Sequence, residues 1–303
     1  MRFASSGFLA PFRHCERSEA TQGRRAGSWV ASTLALLAMT TGVEAVPAAP
    51  PPIRLAPHRA VYDLSLASSR GMRGLDGARG RIAFDFTGNA CEGYALKFRQ
   101  VTVVDSAETG SKTSDLRTAS FESGDGKTFR FRNDSTTIGG PKTLVDGSAE
   151  KRAGGGLAVK LRSPKRQSVA LGDDAVFPNA QMRDLIAAAR EGRHVVPMKL
   201  FDGSDDGHKV YETLAILGDA IEPGTGEGLE PAAKQDGLAK LRRWPVTVSY
   251  FSTGRADATP SYVLGFELYD NGVSRALRLD YGDFVLKGEM VRLDLLPEPA
   301  CPR

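Results

Sequence analysis

The chain has 303 residues, 41% of them hydrophobic, with 40 basic against 36 acidic residues and a formal net charge of +4. A balance this close excludes a strongly basic chain and implies no surface for nucleic acid or for an anionic membrane. Three cysteines, Cys15, Cys91 and Cys301, allow at most one disulfide within the chain.

The first segment is a leader. Residues 24–45 read RRAGSWVASTLALLAMTTGVEA, a basic pair followed by an uncharged apolar run and by Val43 and Ala45 at the −3 and −1 positions of a cleavage site. The apolar run falls short of the roughly 20 residues that span a bilayer. Residues 1–45 are therefore expected to be a signal peptide, removed on export, and the mature chain is not expected to span a membrane. PFRHCERSEATQ, ahead of the leader, resembles translated intergenic sequence and leaves a start downstream of Met1 open. Cleavage after Ala45 removes Cys15, five Arg and three Glu, and lowers the net charge from +4 to +2. Residues 46–56 are expected to form a Pro-rich linker and 57–303 a single domain.

Period-two alternation of apolar and polar residues then dominates, in short runs between turn residues. It predicts strands over 58–67, 80–86, 94–104, 115–123, 127–133, 142–147, 156–163 and 166–172, and again over 194–201, 208–217, 244–252, 261–269, 273–281 and 283–296. Asn271-Gly272 is expected to supply the two positive φ values of a type I′ hairpin. About a dozen or more antiparallel strands are too many for one flat sheet, which must curl.

One helix interrupts the strands. FPNAQMRDLIAAAREGR offers Asn179 as N-cap, an apolar stripe of Met182, Leu185, Ile186 and Ala189, and Gly192 as the residue that ends it. The stripe should bury against the sheet. Residues 220–243 lack sustained periodicity and read as a surface insertion with a short helical piece near 231–241.

Four motifs approach known chemistry and stop short. SGDGKT (123–128) ends like a phosphate loop, but Phe121 stands where its first glycine belongs and no helix follows, so a hairpin turn is expected. GVSRA (272–276) imitates a nucleophile elbow around Ser274, yet lies between two strands. DGSDDGHKVYET (202–213) places Asp202, Ser204, Asp206 and Gly207 as a calcium loop would, but Thr213 occupies the position of the bidentate Glu; an acidic turn is the favoured reading. His58, His194 and His208 are isolated from one another and show no metal-ligand or acid/base spacing. No catalytic residue, metal or cofactor is assigned.

Two cysteines left in an exported protein read as one disulfide, Cys91 to Cys301, tying down a tail that would otherwise fray. APHRAVYDLSL, CEGYALKFRQVTVV, SDLRTASFES, GDGKTFRFRN, the helix sequence, FDGSDDGHKVYETLAILG and the closing LDLLPEPACP together resemble the envelope-integrity EipB family of exported Gram-negative proteins. The resemblance implies a mainly β fold: a broken, spiral antiparallel β-barrel with one principal helix packed on the sheet. It also implies a periplasmic location, Cys91–Cys301 as the family's bridge, and an outline similar to the half-barrels that carry lipoproteins. The expected function is non-enzymatic support of the cell envelope, with a lipidic or peptide-like component bound in the concave face. The partner is expected to be a lipid, lipoprotein, cell-wall fragment or periplasmic protein, with Met182, Leu185 and Ile186 lining the cavity. The alternative is a hydrolase of cell-wall or lipid ester bonds, which needs a nucleophile beside a histidine within that cavity.

Overall fold

The computed structural model describes residues 52–301 except 71–74, 109, 173, 226–227 and 253–258, so the signal peptide expected over 1–45 lies outside the described residues. Eight strands come first: β1 (His58–Ser69), β2 (Gly77–Asn89), β3 (Gly93–Ser106), β4 (Gly110–Ser123), β5 (Thr128–Thr137), β6 (Lys142–Lys151), β7 (Leu157–Ser163) and β8 (Gln167–Leu171). Helix α1 (Pro178–Arg190) separates them from β9 (Val195–Leu200) and β10 (Tyr211–Leu217). A 3-10 turn (Pro231–Lys234) and a short helix α2 (Asp236–Ala239) precede β11 (Arg243–Ser252), β12 (Tyr262–Tyr269), β13 (Ser274–Asp280) and β14 (Phe284–Leu295).

All fourteen strands belong to one antiparallel sheet in the order β8-β7-β6-β5-β4-β3-β2-β1-β14-β13-β12-β11-β10-β9. Two meanders thus meet where β1 pairs with β14, and the ends β8 and β9 do not join, leaving an open barrel. Each strand follows its alternation: on β7, Leu157, Val159 and Leu161 face inward while Lys160 and Arg162 are exposed. The free edge at β9 is blunted. Val176 donates to the Lys199 carbonyl (2.8 Å) and accepts from Phe201 N–H (3.0 Å). Pro197 faces that same edge two residues back, where a missing N–H costs no ladder bond and gives a stray strand nothing to pair with.

Helix α1 starts by a different device from the expected one. Phe177, not Asn179, holds the N-cap position, in extended conformation and without a side-chain cap, and Pro178 is the first helical residue. The capping acceptor comes from β4: buried Glu122 accepts from Asn179 N–H (2.7 Å) and Ala180 N–H (2.9 Å). The C-terminus ends on Gly192 as expected, at φ +70°, with Gly192 N–H reaching Ala189 and Arg193 N–H reaching Ala188, which closes the last turn. Arg190 then fastens the helix to the β12–β13 turn through a bidentate pair with Asp270 (2.7 and 2.9 Å).

That turn also departs from expectation. Gly272 is left-handed (φ +85°) but Asn271 is not, and Gly272 N–H bonds the Tyr269 carbonyl at 2.9 Å. A longer loop with one left-handed glycine therefore stands in place of a type I′ turn. Leu55, three residues before β1, packs on Gly272 and is buried.

Residues 222–225 are exposed, as a surface insertion would be, and the expected helical piece is present, but it is not on the surface: Ala233 and Leu238 are buried in a cluster with Tyr269, Leu286 and Met290, and this stretch packs over β14 as a seal on that core. Glu230 projects to the place where β13 and β14 cease to pair, accepts from the freed Ala276 N–H (3.2 Å) and pairs with Arg275. Glu267 joins Arg275 (2.5 Å) to Arg243 (2.6 Å), so two guanidiniums that are 4% and 3% exposed are held by two carboxylates.

Cys91, in the β2–β3 turn, is bonded to Cys301 with a Cα–Cα distance of 5.8 Å. Leu296 N–H reaches the Pro57 carbonyl (2.8 Å), so the tail runs back beside the segment that leads into β1.

Candidate functional site

A perimeter of fourteen strands encloses more space than its side chains fill. One apolar cluster gathers α1 with β9–β12, another gathers β1, β2, β13 and β14, and Phe84, Leu264 and Leu277 border both without closing the gap. The result is an interior cavity of about 660 Å³. One wall is hydrocarbon, from Ile82, Phe84, Phe98, Leu116, Leu264 and Leu277. The other is a row of rings: Tyr211, Tyr250, Tyr262 and Tyr281 follow at centroid distances of 6.0, 5.7 and 5.1 Å. Burial pushes the hydroxyls of Tyr250 and Tyr262 above their ordinary value, so they stay neutral donors. Gln100 donates to the Tyr281 hydroxyl at 3.1 Å.

The loop between β9 and β10 supplies the polar end, with Asp202, Ser204, Asp205 and Lys209. It is pinned by close approach: Gly203 is left-handed (φ +69°), and a Cβ there would fall 2.3 Å from the Phe131 ring. Asn133 Nδ2 donates to the Gly203 carbonyl (2.9 Å). Asp205, itself at φ +52°, accepts from Lys209 (2.8 Å) and the Tyr211 hydroxyl (2.7 Å). Asp202 accepts from Ser204 N–H (2.9 Å), and burial raises its carboxyl above the usual range. Asp206 turns the other way, to His208. The carboxylates of this loop do not converge, and no group of three metal-ligating side chains occurs among the described residues.

Of the helix residues, Met182 lines the cavity. Leu185 and Ile186, one turn on, are 1% and 0% exposed and sit in the packed cluster with Trp244 and Val246. The stripe is wider than the cavity, and only its N-terminal edge reaches the empty space. The tyrosine row went unforeseen because its members lie on four separate segments; each Tyr occupied an ordinary alternating position.

Ser274 also lines the cavity. Its carbonyl accepts from the Tyr62 hydroxyl at 2.7 Å. The histidines are committed elsewhere: His58 Nδ1 to the Ala56 carbonyl (2.7 Å), His194 Nδ1 to the Leu217 carbonyl (2.8 Å), and His208 to Gln167 and Asp206. Among the described residues no histidine hydrogen-bonds a serine hydroxyl.

A second concavity, of about 690 Å³, lies on the opposite face of β1–β5. Most of its arginines are paired. Arg59 pairs with Asp85 (3.3 Å), Arg99 and Arg117 with Asp115 (2.9 and 2.8 Å), and Arg132 with Asp146 (3.1 Å). The interior cavity is the better candidate.

The EipB-like family model matches residues 49–297. The cell envelope integrity protein EipB of Brucella abortus (strain 2308) is 36% identical over 273 residues, which takes in 88% of this chain and 93% of that protein. A crystal structure of a beta-barrel-like protein of a domain of unknown function, also from Brucella abortus, matches with a TM-score of 0.73 at 36% identity, over 81% of this chain and 100% of that one. Family and open β-barrel architecture agree with the resemblance drawn from the sequence: the chain belongs to the EipB-like family.

Proposed function

We propose that the protein supports cell-envelope integrity from the periplasm by holding an apolar envelope component in its interior cavity, without catalysing a reaction. In this reading residues 1–45 are removed on export and residues 57–303 act as one domain around the cavity. The observation that carries it is the 660 Å³ cavity itself, walled by hydrocarbon and neutral tyrosines. A space of this size and lining suits a drug-sized apolar body, and transfer of hydrocarbon from water drives its entry. The envelope role is supported by the name of the Brucella relative, cell envelope integrity protein EipB.

The test fills the cavity. Leu277→Trp and Leu264→Trp place an indole in it from two strands. A strain lacking the gene should become sensitive to detergent and recover with the wild-type gene, but not with either variant when the purified variant keeps wild-type circular dichroism. Recovery with a folded, cavity-filled variant would overturn the proposal.

A further inference from the structure

We infer that the cavity takes a two-part ligand, an amphiphile whose apolar chain occupies the space described above and whose neutral, hydroxyl-rich head occupies a second chamber beside it. This rests on the reading that the cavity holds an apolar envelope component. The second chamber has a volume of about 490 Å³ and shares Phe98, Leu116, Asp202, Ser204 and Asp205 with the first. Beside Leu96, Phe129 and Val145 its lining adds a polar group that the first lacks, Thr118, Ser120, Asn133, Ser135 and Thr143 on strands β4 to β6.

Thr118 and Asn133 are spent on structure: Thr118 Oγ1 donates to Asn133 Oδ1 (2.7 Å), and Asn133 holds the Gly203 carbonyl. The hydroxyls of Ser120, Ser135 and Thr143 make no hydrogen bond among the described residues. A hydroxyl both donates and accepts, so three of them match the mixed donors and acceptors of a sugar or other polyol.

An anionic head finds no partner there. The ionisable groups lining the second chamber are Asp202 and Asp205, both carboxylates. Lys209, which lines the first, is already paired with Asp205 at 2.8 Å. Pro178 brings the start of α1 to the chamber wall, and a helix start is ordinarily where an anion binds. Here Pro178 has no N–H, and the N–H groups of Asn179 and Ala180 are taken by Glu122. The cationic and backbone N–H donors that would balance a phosphate's charge are therefore absent or occupied, which leaves hydroxyls suited to a neutral head.

The experiment loads the purified full-length mature protein with the neutral dye N-phenylnaphthylamine and displaces it with decyl maltoside, decyl phosphate or maltose, each below its micelle concentration. Decyl maltoside should displace the dye at a concentration at least about tenfold lower than decyl phosphate, and maltose alone should not displace it. Ser120→Ala/Ser135→Ala should weaken decyl maltoside by about tenfold, the effect of two lost hydrogen bonds, and leave dye affinity unchanged. Equal or tighter binding of decyl phosphate, or indifference of decyl maltoside to the double variant, would overturn the inference. So would dye binding that Leu277→Trp abolishes but no amphiphile displaces. Dye binding unaffected by Leu277→Trp would instead remove the cavity reading on which the inference stands.

Discussion

Glu122 is 1% exposed, yet its charge lies against the start of a helix from which it is separated by 57 residues of chain. Desolvation raises its carboxyl above the ordinary range, and the two backbone N–H donors and Arg183 work against that rise. Glu122→Ala leaves two half-buried donors without their acceptor at once, and it should lower stability by about 2 kcal/mol in urea unfolding, whereas Asn179→Ala should change it by less than about 0.5 kcal/mol. Equal effects would return the cap to Asn179. The sequence favoured Asn179 because capping is read locally, and a cap delivered from another strand leaves no local signal. His58 carries a pH dependence. It is buried against Phe84, with ring centroids 5.1 Å apart, and burial draws its imidazole below the ordinary value. The unfolded chain then takes up a proton on His58 before the folded one does, so stability present above about pH 6.5 is lost as the pH falls below it. His58→Phe should flatten the decline in Tm between about pH 7.5 and 5 relative to wild type; an unchanged slope would assign that decline to other groups.

The strands were legible because alternation is a property of each run by itself, and curling followed from their number. β7 shows why: three buried aliphatics alternate with outward residues, a pattern any inward-curving sheet requires. Within residues 220–243 the short helical piece was legible but its burial was not, because burial depends on a partner surface. Pro231, Gly237 and scattered charges read as a loop, while Leu238 is fully buried and Glu230 supplies a counter-charge to Arg275, 45 residues away. Leu238→Ala should therefore cost about 2 to 5 kcal/mol through the cavity it leaves. Glu230→Ala should cost about 3 kcal/mol by leaving Arg275 in the interior with Glu267 alone. Thermal unfolding of both variants distinguishes a sealing segment from a surface insertion, for which both values would lie near zero.

The barrel stays open between β8 and β9, and separate ties hold its elements: the Cys91–Cys301 bond across 210 residues, the sealing segment, and α1, which packs on β9 and is capped from β4. In the chain-entropy model the disulfide contributes about 5 kcal/mol, an upper figure. Cys91→Ser should lower Tm, and reduction of the wild-type protein should lower it to a similar value; an unchanged Tm would mean the tail bears no part of the stability. The pairing was readable from the cysteine count of a mature chain, and the helix stripe from its spacing. What no spacing revealed was the empty space, since a cavity is defined by where several elements fail to meet, and Met182 reaches it while Leu185 does not. Native mass spectrometry of the protein purified gently from cells that make it, beside Leu277→Trp prepared in the same way, addresses that space. The wild type should carry a bound amphiphile that the filled variant lacks, and a bare wild-type protein, or the same adduct on both, would contradict a ligand-holding cavity.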